Sequence, residues 1–339
     1  MNYKKLLSIT VKVFLPLLLG LLLLWFLYRK MDFSEIWLVI KKGIRYEILL
    51  LSLVFGLFAN IVRGFRWGLL IDSIGERFKT VNVVYAVLGN YAINYILPRV
   101  GEVWRCGVIT KYEKIPFTKL IGTLLIDRMA DTFIVGLLTC FIFTFNISFF
   151  HRFFDRNPEL LEGFRQNFSL LWILAGVVIL VAAGWFTFSC FGHLTPVQKA
   201  KEMLRNIWEG MKSVWVLKKK IRFIIQTLLI WGGYFLFFYI TFYAFDFTRH
   251  LGVRIGLIAF TMSSIAVAVP IQGGIGPWHF MVISTLVIFG VNENDAAAAA
   301  LVVHTIQTVW TALCGLFAII ALPIVNKEKA INIHSTVTH

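Results

Sequence analysis

Long apolar runs separated by short charged segments dominate the chain. They lie at Val13 to Tyr28, Ile48 to Val62, Val83 to Leu97, Leu120 to Phe145, Phe168 to Phe191, Phe223 to Phe245, Ile255 to Ile271, Met281 to Val291 and Ala296 to Ile324. A membrane-crossing helix needs about 20 apolar residues, so most of these runs predict spans, while those before Pro98 and after Pro277 are short. Each short run adjoins a polar break: Leu97-Pro98-Arg99-Val100-Gly101-Glu102-Val103-Trp104-Arg105 in the first half, and Pro270-Ile271-Gln272-Gly273-Gly274-Ile275-Gly276-Pro277-Trp278-His279 in the second. Pro removes a backbone donor and Gly frees the backbone, so regular helix ends there. Within lipid such a break survives only where it is buried in protein or lines a water-filled cavity. The pattern therefore predicts an all-α fold, a polytopic transmembrane helical bundle of about eight spans with two broken or re-entrant segments in two related halves. Broken helices in corresponding positions of two halves mark the substrate site of a transporter built from repeats.

Composition agrees with a lipid setting. Hydrophobic residues make up 58% of the chain, aromatics 16%, and mean hydropathy is +0.78, against roughly 45–50% apolar residues in a soluble domain. The net charge of +15 lies in segments between the runs, which fits positive-inside topology and anionic lipid head groups better than a nucleic-acid partner. Lys4 and Lys5 before the first run resemble a secretory signal, yet Tyr28-Arg29-Lys30-Met31 offers no small-residue cleavage site, so a retained first helix is expected. Cys106, Cys140, Cys190 and Cys314 lack metal-type spacing, so neither disulfides nor zinc are expected.

The richest cationic stretch, Lys199 to Arg222, is assigned to the cytoplasm. Alternation then places Asn292 to Asp295 outside, Lys327 and Lys329 inside, and the Arg99 to Lys119 stretch inside. The N-terminus, with Lys4, Lys5 and Lys12, comes out cytoplasmic only if the short Val83 to Leu97 run enters and leaves on one side; Arg29 to Arg45 is then external. Residues 1–325 form one transmembrane domain and 326–339 a short cytoplasmic tail. Within the domain, 192–222 is a cytoplasmic loop helix: Thr195 caps it, Pro196 suits its first position and Gln198 completes a capping box. Val197, Ala200, Leu204, Ile207, Trp208, Met211 and Trp215 recur at helical spacing opposite Lys199, Lys201, Arg205 and Lys212. Such a face serves equally to lie in the membrane interface or to cover the bundle.

Ionisable residues inside the apolar runs are few and grouped. Asp127 and Asp131 lie one helical turn apart with Arg128 three residues before Asp131, so the cluster partly neutralises itself. A charge in hydrocarbon costs about 2.5–3.5 kcal/mol on insertion scales, which turns these side chains toward the protein interior, where they either serve a ligand or fix packing by pairing. Arg63 and Arg66 share a face near the end of the second run, where they either snorkel to head groups or serve a ligand. Asn90 and Asn94 suit interhelical hydrogen bonding. Successive N–H groups of the second glycine-rich break suit an anion such as phosphate, or else simply reverse the chain.

Together these motifs make the chain resemble the transmembrane flippase-like domain of lysylphosphatidylglycerol synthetases and their stand-alone relatives. The family's Pro-x-x-Gly-Glu-x-x-Arg segment is matched by Pro98, Gly101, Glu102 and Arg105. Its acidic-Arg-x-x-Asp helix is matched by Asp127, Arg128 and Asp131, with Asp127 where Glu is more usual. Its Pro-x-x-Gly-Gly-x-Gly turn is matched by Pro270, Gly273, Gly274 and Gly276. Where the family often has Glu after this turn the chain has His279, which changes the charge of the cavity and weighs against an aminoacyl-lipid substrate. Only Asn326 to His339 follows the last run, so no soluble aminoacyl-transferase domain, and no lipid synthesis, is expected.

The resemblance implies a flippase of the cell inner membrane, not an enzyme and without a cofactor, moving an anionic phospholipid or a polyprenyl-linked lipid between leaflets. Arg99, Arg105 and Arg128 attract the head group. Glu102, Asp127 and Asp131 orient those arginines and carry protons or a cationic moiety. Gly101, Gly273, Gly274, Gly276 and His279 complete the expected substrate site. Membrane lipids are the expected partners. Two alternatives are a membrane-embedded lipid-modifying enzyme, with Glu102, Asp127 or Asp131 as base and His279 beside it, and a non-transporting scaffold for a separate lipid synthase. No metal-ligand, nucleophile or nucleotide-loop motif supports the enzyme.

Overall fold

The computed structural model describes residues 43–159, 217–269 and 271–326, with isolated positions outside these ranges. Apart from such positions, the expected first helix, the Phe168 to Phe191 run, the loop helix as far as residue 216, Pro270 and the tail from Lys327 lie outside the described residues. The described chain is helical: α1 Tyr46–Ser73, α2 Thr80–Ile96, α3 Val100–Glu113, α4 Phe117–Phe145, α5 Ile147–Arg156, α6 Lys220–Tyr239 with a 3-10 extension Ile240–Ala244, α7 Val253–Ala266, α8 Pro277–Ile288 and α9 Glu293–Val325. Among the described residues α1, α4, extended α6 and α9 are long and apolar enough to cross a membrane.

Contacts at the helix ends order the spans. At one face Lys219 pairs with Asp72 at 3.5 Å and Lys119 with Glu76 at 3.0 Å. There Asn82 donates to Glu113 and exchanges hydrogen bonds of 3.0 and 2.8 Å with Asn326, so the start of α2 and the ends of α3 and α9 meet. This is the lysine-rich face, with Lys79, Lys111, Lys114 and Lys218 in the same segments. At the opposite face Arg45 pairs with Asp246 at 2.7 Å, Arg254 donates to Asn146 at 2.6 Å, Arg156 pairs with Glu293 at 3.5 Å, and Phe149 of α5 stacks on Phe289.

It follows that α2 and α3 form a hairpin that enters and leaves at the lysine-rich face, as the re-entrant expectation requires. The runs Ile255 to Ile271 and Met281 to Val291, counted as two spans in the expectation of about eight, are the arms of a second hairpin, α7 and α8, whose ends both lie at the opposite face. The lengths explain this: 17, 14, 14 and 12 residues make helices of about 18–26 Å at 1.5 Å per residue, short of a core roughly 30 Å thick. The order span, hairpin, span thus occurs twice, α1 to α4 and α6 to α9. Since α1 runs toward the lysine-rich face and α6 away from it, the second unit is inverted relative to the first, a known transporter architecture.

Close helix contacts fix the frame. A Cβ at Gly315 would stand 2.7 Å from the Cβ of Ala92 and 2.8 Å from the carbonyl of Leu88, so α9 lies directly against α2. Small residues permit such approach where lipid supplies no hydrophobic force between helices. Asn292 caps α9 by accepting from the N–H of Asn294 at 2.8 Å, and Glu293 and Asp295 follow in the first turn, where negative charge complements the helix dipole.

Candidate functional site

The first hairpin turns sharply at Leu97-Pro98-Arg99. Arg99 has φ 63°, left-handed backbone that side chains rarely adopt, and its guanidinium donates to the carbonyl of Ala268 in the second hairpin at 3.1 Å. Asn94 accepts from the N–H of Gly101 at 2.9 Å and thereby satisfies an otherwise open donor at the start of α3. A side chain at Gly101 would collide with the carbonyl of Asn90, so this glycine lets the two arms touch. The asparagines expected to join neighbouring helices instead fasten one hairpin to itself, with Asn94 donating to Asn90 at 3.3 Å.

Below this tip, toward the lysine-rich face, lies an ion network built from α1, α3 and α4. Asp127 accepts from Arg66 at 2.7 Å and from Arg105 at 3.1 Å. Asp131 accepts from Arg63 at 2.6 Å and from Arg66 at 2.8 Å. Arg128 pairs with Glu102 at 2.6 Å and reaches Asp131 only at 4.0 Å. The two Asp residues, one turn apart, share the α4 face that meets α1, so neutralisation comes mainly from neighbouring helices rather than from Arg128. Four guanidinium groups meet three carboxylates, leaving one positive charge in excess.

Burial divides the network. The side chains of Arg66 and Asp127 are fully enclosed and Arg105 is 1% exposed, whereas Arg128 is 36% and Glu102 24% exposed. Arg105 also sits over the ring of Trp67 at 4.5 Å, and Trp67 donates to Thr123 at 3.1 Å. Tyr234 of α6 accepts from Arg63 at 3.2 Å, donates to Asn60 at 2.6 Å and lies 2.9 Å from the hydroxyl of Tyr91. A polar wall thus extends across the network from α6 to α2.

Arg63 and Arg66 do not snorkel, which rules out the first of the two alternatives for them. They are 4% and 0% exposed because α1 continues through Trp67 to Ser73, placing both well inside the helix. The apolar Trp67-Gly68-Leu69-Leu70-Ile71 that follows them is the sequence signal for this. Arg99, Glu102 and Arg105, expected at the membrane face with the rest of Arg99 to Lys119, are carried inward by the hairpin. Asn60, Tyr91, Tyr234 and His304 also join the polar lining, and no local motif marks them.

In the second tip Gly273, Gly274 and Gly276 have φ 60°, 71° and 92°, values that favour glycine. Gly273 faces Tyr95 of α2; an added Cβ would stand 3.1 Å from its ring. Gly276 precedes Pro277 at the start of α8. His279 of α8 is buried beside His304 of α9, ring centroids 4.5 Å apart, and Trp278 packs on both. His304 Nε2 lies 2.8 Å from the carbonyl of Gly273. The structure therefore gathers Glu102, Arg105, Asp127, Arg128 and Asp131 into one site, sets Arg99 at the junction of the tips, and places Gly273, Gly274, Gly276 and His279 on the other side of that junction.

A separate apolar cavity of about 560 Å³ opens between α1, α2 and α9, lined by Leu57, Phe65, Val84, Leu88, Leu313 and Phe317 among others. Among the described residues no group of three or more His, Cys, Asp or Glu is placed to hold a metal ion.

A family model described as the lysylphosphatidylglycerol synthase TM region matches residues 13–315. A UPF0104 membrane protein of Methanocaldococcus jannaschii is 24% identical over 140 residues, 40% of this chain and 40% of that protein, so the match spans about two fifths of the relative's length. No solved structure matches the chain.

Proposed function

The chain belongs to the lysylphosphatidylglycerol synthase TM region family, and from that premise we propose that it is a flippase of the cell inner membrane, not an enzyme, moving an anionic phospholipid or polyprenyl-linked lipid between leaflets. The observation that carries this reading is a network with excess positive charge beside the junction, made by Arg99, of two oppositely inserted hairpins. Ionisable groups held inside a membrane mark substrate or ion pathways, and an inverted pair of units supplies the symmetry for access from either side. Arg128, the most accessible guanidinium of the network, meets a phosphate first, and Arg99 meets it again at the tips. Arg63, Arg66 and Arg105 hold the buried carboxylates that set the shape of the site. The apolar cavity of about 560 Å³ beside α2 offers the lipid tail a path separate from that of the head group.

The test is reconstitution of the chain alone. In liposomes containing a fluorescent anionic lipid, it should speed leaflet exchange, read by a quencher that cannot cross the bilayer. Arg99→Gln with Arg128→Gln should slow anionic lipids more than zwitterionic ones. Unchanged exchange across phospholipids and polyprenyl phosphates would overturn the flippase reading and favour a scaffold for a separate synthase.

A further inference from the structure

Asp127 and Asp131 are committed to the arginines of the ion network. Both oxygens of each already accept hydrogen bonds from guanidinium groups: Arg66 and Arg105 on Asp127, Arg66 and Arg63 on Asp131. Both carboxylates thus serve as the counter-charges of buried guanidinium groups. Glu102 is likewise engaged by Arg128 at 2.6 Å.

The second tip holds a different kind of group. Because the carbonyl of Gly273 can only accept, the His304 Nε2 at 2.8 Å carries its hydrogen, and in the neutral ring Nδ1 keeps a lone pair. With ring centroids 4.5 Å apart, a positive charge on one imidazole opposes a second on the other, so the pair takes up one further proton rather than two. The charged groups of the surrounding elements are mostly engaged elsewhere. On α5, which packs on α8, Arg152 lies over Phe289 and Arg156 pairs with Glu293 at the opposite face, where His151 and Asp155 belong to the same helix. On α1, which packs on α9, Arg63 and Arg66 belong to the ion network. The ionisable side chains of α6 lie elsewhere: Tyr234 in the ion network, Tyr239 against Tyr243, Lys220 and Arg222 at the helix start; α6 presents Phe238 to Trp278 instead. The one ionisable side chain of α7, Arg254, is bound to Asn146 at the opposite face. From α2 comes Tyr95 against Gly273, and from the first tip Arg99 on the carbonyl of Ala268. The first turn of α9 carries Glu293 and Asp295 about three turns before His304, at the face where the second hairpin enters.

We propose that His279 and His304 form one proton-binding site that couples lipid movement to a proton gradient. The pair takes a single proton from the face opposite the lysines, on an imidazole lone pair, and later returns it; no other bond is made or broken. Loaded, it holds Gly273 through a charged hydrogen bond, which is stronger than the neutral one. Unloaded, it lets the second tip move against α9. The coupling rests on the flippase reading, whereas proton binding by the pair does not.

Two measurements separate these. Nitrogen-15 spectra of histidine-labelled protein in nanodiscs, with His279 and His304 assigned from single Gln variants, should show the two rings gaining one proton between them. Titration as two independent rings, or no uptake, overturns the proton site whatever the lipid assay gives. In proteoliposomes with the potential clamped by potassium and valinomycin, a one-unit pH gradient should bias the labelled lipid about tenfold between leaflets if one proton moves per lipid. His304→Gln, which keeps a side-chain N–H donor but takes up no proton, should remove that bias. Lipid exchange by the parent without bias, or bias that persists in His304→Gln, overturns the coupling. No exchange by the parent under any gradient overturns the flippase reading, and the spectra then decide the proton site alone.

Discussion

Arg99 of the first hairpin donates to the carbonyl of Ala268 in the second at 3.1 Å, so one side chain ties together two hairpins that enter from opposite faces. The ion network lies on one side of this tie and the histidine pair on the other. Under the proposed function, passage of a head group between the faces requires the tie to open.

Arg99→Gly tests the tie without introducing strain. The native left-handed backbone at this position costs a non-glycine residue roughly 1–2 kcal/mol, which glycine avoids. The variant should keep its melting temperature or exceed it slightly, while backbone amides of residues 267–276 exchange faster with deuterium. Unchanged exchange there would show that the hairpins are held by packing alone.

Burial predicts opposite outcomes for two carboxylates of one network. Asp127→Asn removes the charge facing Arg66 and Arg105 in a fully enclosed setting and should destabilise the protein by about 3–5 kcal/mol. Glu102→Gln, in a partly exposed pair with Arg128, should change stability by less than about 1 kcal/mol. Thermal unfolding in detergent, followed as loss of the monodisperse species, gives the comparison. Equal losses would mean that exposure does not divide the network as described.

Sequence alone reveals the breaks and the charges but not who meets whom. Pro98, Gly101 and the glycines around Gly273 mark both tips because their backbone chemistry is local. Asp127 and Asp131 are legible as a shared face because helical periodicity is local too. Their partners Arg63 and Arg66 come from another helix, 61 to 68 residues away, and pairing at that distance depends on packing. Arg128 adjoins Asp127 in sequence and is the obvious candidate to neutralise α4, yet its own position points it at Glu102. Apolar length, by contrast, separates hairpin arms from spans once the end contacts are known.

The apolar cavity yields a prediction independent of charge. Leu88→Trp and Leu313→Trp, each on a different wall, should fill it without disturbing the ion network. If lipid tail uses this path, both variants should retain fewer co-purified lipids by native mass spectrometry and move lipid more slowly, with melting temperature within a few degrees of the parent. Gly315→Ala should behave differently. Its new methyl meets Ala92 and the Leu88 carbonyl, and forcing α9 from α2 should lower stability by about 1–3 kcal/mol, as overpacking does.

The arrangement of hairpins makes a topological prediction that plain spans do not share. If α2 crossed the membrane, Lys79 before it and Lys114 after α3 would lie on opposite sides, unless α3 also crossed. Its 14 residues reach only about 21 Å. The hydrogen bond from Asn82 to Glu113 instead sets both lysines at the face that holds Lys219. On a background lacking the four native cysteines, single cysteines at Lys79, Lys114 and Lys219 should share one accessibility to a reagent that cannot cross the bilayer. Cysteines at His250 and Asn294, which flank the second hairpin, should share the other. Discordant labelling of Lys79 and Lys114 would overturn the first hairpin, and discordant labelling of His250 and Asn294 the second. Concordance within each set but agreement between the sets would remove the inversion on which opposed access depends.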